Sequence, residues 1–223
     1  MGAPALLVGD AVHVFVVGLA AGPDAAEARE DERERADRLW DRDAASRFLA
    51  SRAWLRVILA CYLEVEAGSI RFEVTYGGKP SIVGHGDLGF SLSRSSGLAL
   101  IALTRGRAVG VDIERVDPTV DHDRLAERFF SPGEADHLRS LADPDRRAAF
   151  FRLWVAKEAV VKASGAGLGD GLSHVETGQG TVDGRSVAPL AVAPGYAAAV
   201  AVDGVLGPCT TWTLPGGEPL VRG

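Results

Sequence analysis

The chain has 223 residues, a net charge of −6, and 47% hydrophobic against 24% charged residues, the make-up of a globular protein with room for one large domain or two of about 110 residues. The negative balance excludes a global basic field for nucleic acid, so any anion must be held by a local cluster of cations. Two cysteines, Cys61 and Cys209, are too few for a disulfide framework and suit a reducing compartment. Asp10 and His13 interrupt the apolar N-terminal run, against a signal peptide, and nowhere do about 18 apolar residues run on as a bilayer span requires. The expectation is a cytoplasmic protein that binds neither nucleic acid nor membrane.

In chain order, Ala11 to Val17 reads as a buried first strand. Asp24 to Asp43 is densely charged with alternating sign, a solvated helix or a helix and a turn, with Arg33, Arg35, Arg38 and Arg42 available to an anion. From Ala44 to Glu64, Phe48, Leu55, Ile58, Leu59 and Tyr62 recur at helical spacing and predict a core helix, with Trp54 and Cys61 as packing residues beside the stripe. Both cysteines lack a paired base and read as inert packing. Ile70 to Tyr76 alternates like a strand before the Gly77-Gly78-Lys79-Pro80 turn. Leu88 to Ser93 and Leu98 to Leu103 predict a hairpin around a four-residue loop, Arg94 to Gly97. Val109 to Glu114 is a further strand.

Pro118 opens a helical region with breaks at Pro132-Gly133 and Pro144. It ends in a helix through Phe151 to Lys162, stopped by Ser164-Gly165 and Gly167. Beyond it, Asp183-Gly184 and Asp203-Gly204 are hairpin signals, and Val187 to Val192, Tyr196 to Val202 and Thr210 to Leu214 fill out a second sheet. Each half thus offers strands and a long helix, with a break near residues 104 to 107. The five histidines, His13, His85, His122, His137 and His174, show no ligand spacing and take no role.

Two clusters carry chemistry. Glu158 and Lys162 are four apart on one helix face, which alone suits an ordinary exposed ion pair as well as a site. Asp112 and Glu114 alternate with Val111 and Ile113 in a strand, so both carboxylates share one face while the valine and isoleucine enter the core. Two adjacent acids repel unless a cation lies between them, and a hard ion such as Mg²⁺ takes one or two carboxylates together with water and phosphate. A solvated edge strand would show the same pair.

Taken together, Gly110-Val-Asp-Ile-Glu114 ahead of Phe150-Phe-Arg-Leu-Trp-Val-Ala-Lys-Glu-Ala-Val-Val-Lys162 resembles the 4′-phosphopantetheinyl transferases. Within that family the chain is similar to the longer, monomeric class that activates nonribosomal peptide and polyketide synthases. Tyr76-Gly77-Gly78-Lys79-Pro80, Phe90-Ser91-Leu92-Ser93, Arg128-Phe129-Phe130-Ser131-Pro132 with Glu134, and Pro194-Gly195-Tyr196 extend the match over roughly Arg47 to Val202.

The resemblance implies an α+β fold of two similar lobes, a pseudo-dimer in which each lobe packs a small antiparallel-rich sheet on a long helix. Residues 1–105 would hold the nucleotide end of coenzyme A and residues 106–223 the metal and catalytic groups, with the site in the cleft. It implies transfer of 4′-phosphopantetheine from coenzyme A to a serine of an apo acyl or peptidyl carrier protein, with Mg²⁺, or Mn²⁺ in its place, as cofactor. Asp112, Glu114 and Glu158 would hold the metal, and Glu158 would help deprotonate the serine. Lys162 would neutralise the leaving 3′,5′-adenosine bisphosphate, with Lys157 as an auxiliary cation. Lys79, Pro80 and Ser93 would sit at the nucleotide end, with Arg33, Arg35 and Arg47 in the region of the 3′-phosphate.

The chain departs from the family's usual Ser-His-Ser at Ser93-Arg94-Ser95, where Arg94 can still grip phosphate through its fork. It also carries Glu32 where a basic residue often falls. A carrier-docking patch is expected around Arg124, Arg128 and the Pro132-Gly133 turn. Two other readings use the same residues: a Mg²⁺-dependent hydrolase of nucleotide pyrophosphates, and an inactive relative that binds coenzyme A or carriers.

Overall fold

A computed structural model describes residues 7–20, 22–23, 28–74, 78–165, 175 and 181–214. Tyr76, Gly77, Gly167, His174 and residues 24–27 of the charged stretch lie outside them.

The chain is α+β. Strand β1 (Val12–Gly18) leads to α1 (Glu30–Asp37) and the long α2 (Arg42–Leu63), and then to the short pair β2 (Phe72–Val74) and β3 (Pro80–Ile82). Next come β4 (Leu88–Ser95), β5 (Leu98–Arg105) and β6 (Val109–Arg115), followed by α3 (His122–Phe129), α4 (Pro132–Ser140) and α5 (Asp145–Ser164). Strands β7 (Thr181–Val182), β8 (Arg185–Pro189), β9 (Tyr196–Asp203) and β10 (Cys209–Leu214) complete the order.

Two four-stranded sheets result, β10-β1-β5-β4 and β6-β9-β8-β7. Strand alternation explains how they stack. Phe15, Val17, Ile101 and Leu103 turn toward Trp54, Leu55, Ile58 and Leu59 of α2. Val14, Val16, Leu100 and Ala102, on the opposite face, meet Val111, Ile113, Val200 and Val202 of the second sheet. The far side of that sheet, through Ala199 and Ala201, packs on Val155, Ala159 and Val160 of α5. The order is therefore helix, sheet, sheet, helix.

Gly110 sets the last contact. A Cβ there would lie 2.0 Å from the Ala159 carbonyl oxygen and 2.5 Å from the Ala163 nitrogen. Only glycine lets β6 lie this close to α5, and that closeness brings Asp112 to Lys162.

Three local expectations are corrected. The β4–β5 loop is two residues rather than four: Ser95 pairs with Leu98 and Ser96 turns the chain at φ 52°. Arg94 and Ser95 are therefore strand residues on opposite faces. Asp183-Gly184 makes the expected hairpin, both residues at positive φ as a type I′ turn requires. Asp203-Gly204 does not. The chain leaves β9 there, and β10 pairs in parallel with β1, so Thr210 to Leu214 extends the first sheet instead of the second. Finally, Cys61 and Cys209 are exposed, not packed inside: Cys61 follows the buried stripe of α2 onto its solvent side.

Candidate active site

Three serines on one face of β4 stitch the first sheet to β6. Ser91 Oγ accepts the Val111 N–H at 3.1 Å, Ser93 Oγ donates to Asp112 Oδ1 at 2.7 Å, and Ser95 Oγ donates to Glu114 Oε2 at 2.8 Å. The two-residue spacing of Ser93 and Ser95 matches that of the Asp112 and Glu114 side chains because both segments are extended, while Ser91 meets the β6 backbone. Lys162, on the last turn of α5, donates to the same Asp112 Oδ1 at 2.6 Å and to Ser93 Oγ at 2.9 Å. Its ion-pair partner is Asp112, across the sheet, and not Glu158 a turn back on its own helix.

The cluster is strongly electrostatic. Asp112 is 3% exposed and Glu158 7%. Burial, with the negative charges of Asp112 and Glu114 added, pushes the Glu158 carboxyl up to about 7 against the pull of Lys162. Burial also raises Asp112, opposed by Lys162 and Ser93, and raises Glu114, with Asp112 adding to the rise and Ser95 opposing it. Each of the three carboxyls is thus held above its usual range, first by burial and only partly offset by Lys162.

Whether a metal suits this set can be judged from its oxygens. Asp112 Oδ2 is buried and has no hydrogen-bond partner, a costly state for a carboxylate oxygen unless a cation meets it. Among the described residues no three acids, histidines or cysteines form a ready-made metal cage. The donors fit a hard cation of the kind that takes one or two carboxylates and completes its shell with water and substrate phosphate.

Beside Lys162 opens a cavity of about 430 Å³ walled by Lys79, Pro80, Phe90, Leu92, Val161 and Arg52. Lys79 sends its Nζ to the carbonyls of Val109 (2.9 Å) and Ala163 (3.3 Å), tying the start of β6 to the end of α5. Burial pushes its amine down to about 8, with Arg185 adding to the fall and Asp203 opposing it.

The expected cations divide. Ser93 stands with Asp112 and Lys162 rather than apart at a nucleotide end. Arg94, its neighbour in sequence, faces the other way, its guanidinium 5.1 Å from the Phe48 ring centre; Arg35 approaches the same ring at 5.6 Å. Arg47 pairs with Asp41 at 3.6 Å and Arg33 with Glu30 at 3.8 Å, both near the surface.

Lys157 is corrected outright. It is fully buried, bonded to the Val175 carbonyl, paired with Glu134 at 2.7 Å and set over the Phe130 ring. The same Glu134 oxygen accepts the Ser131 N–H (3.0 Å) in the box that caps α4. The segment Arg128 to Pro132 with Glu134 is therefore a clamp joining α4 to α5. Arg124, Arg128, Pro132 and Gly133 are exposed around it.

Ser95, Arg52 and the Glu32 side chain take no role from the sequence alone. For Ser95 the signal was available in the Ser-x-Ser-x-Ser alternation. For Arg52 and Glu32, twenty residues apart on different helices, no local pattern could pair them.

Comparison with known proteins agrees with this geometry. Residues 108–197 match the model of the 4′-phosphopantetheinyl transferase superfamily. The chain is 37% identical over 198 residues to the 4′-phosphopantetheinyl transferase HetI of Nostoc, covering 85% of this chain and 82% of that one. It is 30% identical to the 4′-phosphopantetheinyl transferase Sfp of Bacillus subtilis over 62% of this chain and 60% of that one. To the L-aminoadipate-semialdehyde dehydrogenase-phosphopantetheinyl transferase of Xenopus laevis it is 32% identical, over 62% of this chain and 49% of that one. With β6 and α5 both inside the matched span, the chain belongs to the 4′-phosphopantetheinyl transferase superfamily and is an enzyme of that class.

Proposed function

We propose that the enzyme moves 4′-phosphopantetheine from coenzyme A to a serine of an apo acyl or peptidyl carrier protein, at the cluster of Asp112, Glu114, Glu158 and Lys162. The observation that carries this reading is the unpartnered, buried Asp112 Oδ2 beside Lys162, which itself lines the cavity. A division into two lobes near residue 105 is supported by the walls of that cavity, which come from both halves of the chain, although β10 returns to pair with β1. A monomer in the cytoplasm, acting on neither nucleic acid nor membrane, is the setting that goes with it; no described helix is long and apolar enough to cross a membrane.

A serine hydroxyl is a weak nucleophile and needs a base within reach. Glu158, held near pH 7, is matched to that task. It takes the serine proton as the oxygen attacks the phosphorus that bears pantetheine. The bond from that phosphorus to the bridging oxygen breaks, and 3′,5′-adenosine bisphosphate departs with the electron pair. Lys162 meets the charge growing on the leaving oxygen, and Ser93 and Asp112 fix where its ammonium stands. Asp112 and Glu114, with Glu158, would hold Mg²⁺ or Mn²⁺, which supplies charge neutralisation at the pyrophosphate.

The test is to incubate the enzyme with coenzyme A, Mg²⁺ and an apo carrier, then weigh the carrier. A gain of one phosphopantetheine is expected. Cleaved coenzyme A with an unmodified carrier would favour pyrophosphate hydrolysis, and an intact pair would favour a binding protein.

A further inference from the structure

A serine hydroxyl has a single proton to give, and its neighbours decide where that proton goes. Ser95 Oγ accepts the Arg115 N–H at 3.0 Å, so its proton is left for Glu114 Oε2 at 2.8 Å. Ser93 Oγ accepts from Lys162 Nζ at 2.9 Å and gives its proton to Asp112 Oδ1 at 2.7 Å. The Lys162 ammonium adds a second bond to that Oδ1 at 2.6 Å. One oxygen of each carboxylate is thereby occupied from within the fold. Asp112 Oδ2 has no partner, and among the described residues no hydrogen bond reaches Glu114 Oε1.

The hydroxyls are anchored. Strand β4 pairs with β5 along its whole length, and Ser93 is 7% exposed. Strands β4 and β6 belong to different sheets. Ser91 and Ser95 therefore meet the Val111 and Arg115 N–H groups where a neighbouring strand would otherwise stand.

We propose that Ser93 and Ser95 set the metal preference of the site: occupying one oxygen apiece, they hold Asp112 and Glu114 to a single coordinating oxygen each, which suits Mg²⁺ or Mn²⁺ and disfavours Ca²⁺. The assignment rests on the metal-site reading above and goes beyond it by naming what selects the ion.

The chemistry of the ions gives the reason. Mg²⁺ demands an octahedron of oxygens at about 2.0–2.1 Å and makes do with one or two carboxylates and water. Ca²⁺ takes roughly six to eight oxygens at about 2.3–2.6 Å and often draws both from one carboxylate. A carboxylate with one oxygen tied to a hydroxyl has only the other to offer. Ser95 is the more telling of the two serines. Glu114, unlike Asp112, has no ammonium bonded to it among the described residues, so Ser95 is its tether there. Without that hydroxyl, Glu114 is free to turn both oxygens to the larger ion. Ser95 acts through Glu114 and is a positioning residue.

Metal binding to the chain alone, without coenzyme A, tests this at pH 8, above the value held by Glu158. Free Mn²⁺ is read by its electron paramagnetic resonance signal, and Ca²⁺ by the Mn²⁺ it displaces. In Ser95→Ala the dissociation constant for Mn²⁺ should rise about tenfold, the lower end for loss of a bond to a metal-ligating carboxylate. The constant for Ca²⁺ should hold or fall. Ser95→Thr keeps the hydroxyl and should restore the parent preference. Ser95→Cys, a weak donor, should fall between the two and covers a poorly folding alanine variant. Ser81→Ala breaks a serine–glutamate bond of 3.2 Å at the surface and should leave both constants unchanged. An unchanged preference in Ser95→Ala overturns the assignment, whether both constants stay put or rise alike; the latter marks a hydroxyl that serves the fold only. A parent chain that holds neither ion strikes the metal site itself, and the assignment with it.

Discussion

Helix α5 carries two lysines, Lys157 and Lys162, whose surroundings could hardly differ more. Lys157 is wholly enclosed and has a full set of partners: a carboxylate, a backbone carbonyl and an aromatic face. Lys162 is 27% exposed, and it shares Asp112 with Ser93 while the second oxygen of that carboxylate goes unmet. The first environment is complete within the chain. The second has three carboxyls pushed toward protonation and a cavity alongside, so it is completed only by something from outside. Helical spacing puts a lysine on a face, but the presence or absence of closed partner sets separates a clamp from a site.

The largest effect that would break this contrast is on rate. Glu158→Gln keeps the shape of the side chain and removes the base, so turnover should fall about a hundred- to ten-thousand-fold. The melting temperature should hold or rise, since burial of the Glu158 charge is opposed by its surroundings. Near-normal turnover measured on the carrier would end the case for Glu158 as base.

Lys157→Met should do the opposite. It takes the charge partner from the half-buried Glu134, at a cost of up to about 3–5 kcal/mol, the range for a broken buried pair. The kcat per folded molecule should stay close to the parent value. Adding Glu134→Gln, which keeps the helix-capping acceptor without the charge, should recover most of the loss in chemical denaturation. If Lys157→Met instead keeps its stability and loses turnover, the lysine belongs to the chemistry after all.

A smaller and continuous effect comes with pH. Glu158 binds its proton more tightly in the folded chain, with a value of about 7 against an ordinary 4.5. A group raised on folding makes stability fall as pH rises between those two values, because the unfolded chain gives up the proton first. With divalent ions chelated, the melting temperature should decline across that window, with Asp112 and Glu114 contributing in the same direction. Mg²⁺ should lift it most above pH 7, and Glu158→Gln should flatten the slope. A metal-free melting temperature that rises through the window would contradict the burial and repulsion that raise these carboxyls.

The same contrast marks how far the sequence could be read. Asp112 and Glu114 on one face, the core helix of α2 and the Gly165 stop of α5 all follow from periodicity and capping, which are local. Lys157 misled because adjacency to Glu158 says nothing of the distant Glu134 and Val175 that enclose it. Strand β10 misled because pairing with β1 is decided by which sheet edge is open, nearly the full chain away. Arg94 misled as a loop residue: the loop is only Ser96 and Gly97, so Arg94 continues β4 and alternation turns it away from the face of Ser93.

That alternation yields the gentlest test, Arg94→His. Arginine keeps its charge throughout the working range, whereas an imidazole loses its charge near pH 6.5. At pH 8 the variant should show a KM for coenzyme A raised a few-fold, on the scale of one exposed charge pair. Below pH 6.5 the difference should close as the imidazole gains its proton. Turnover should be nearly unaffected, because Arg94 faces Phe48 and not the carboxylates. With 3′-dephospho-coenzyme A the pH dependence should disappear. Were the KM and its pH profile to match the parent, the Phe48 side of the first sheet would hold no phosphate, and the anion would have to be met on the serine face alone.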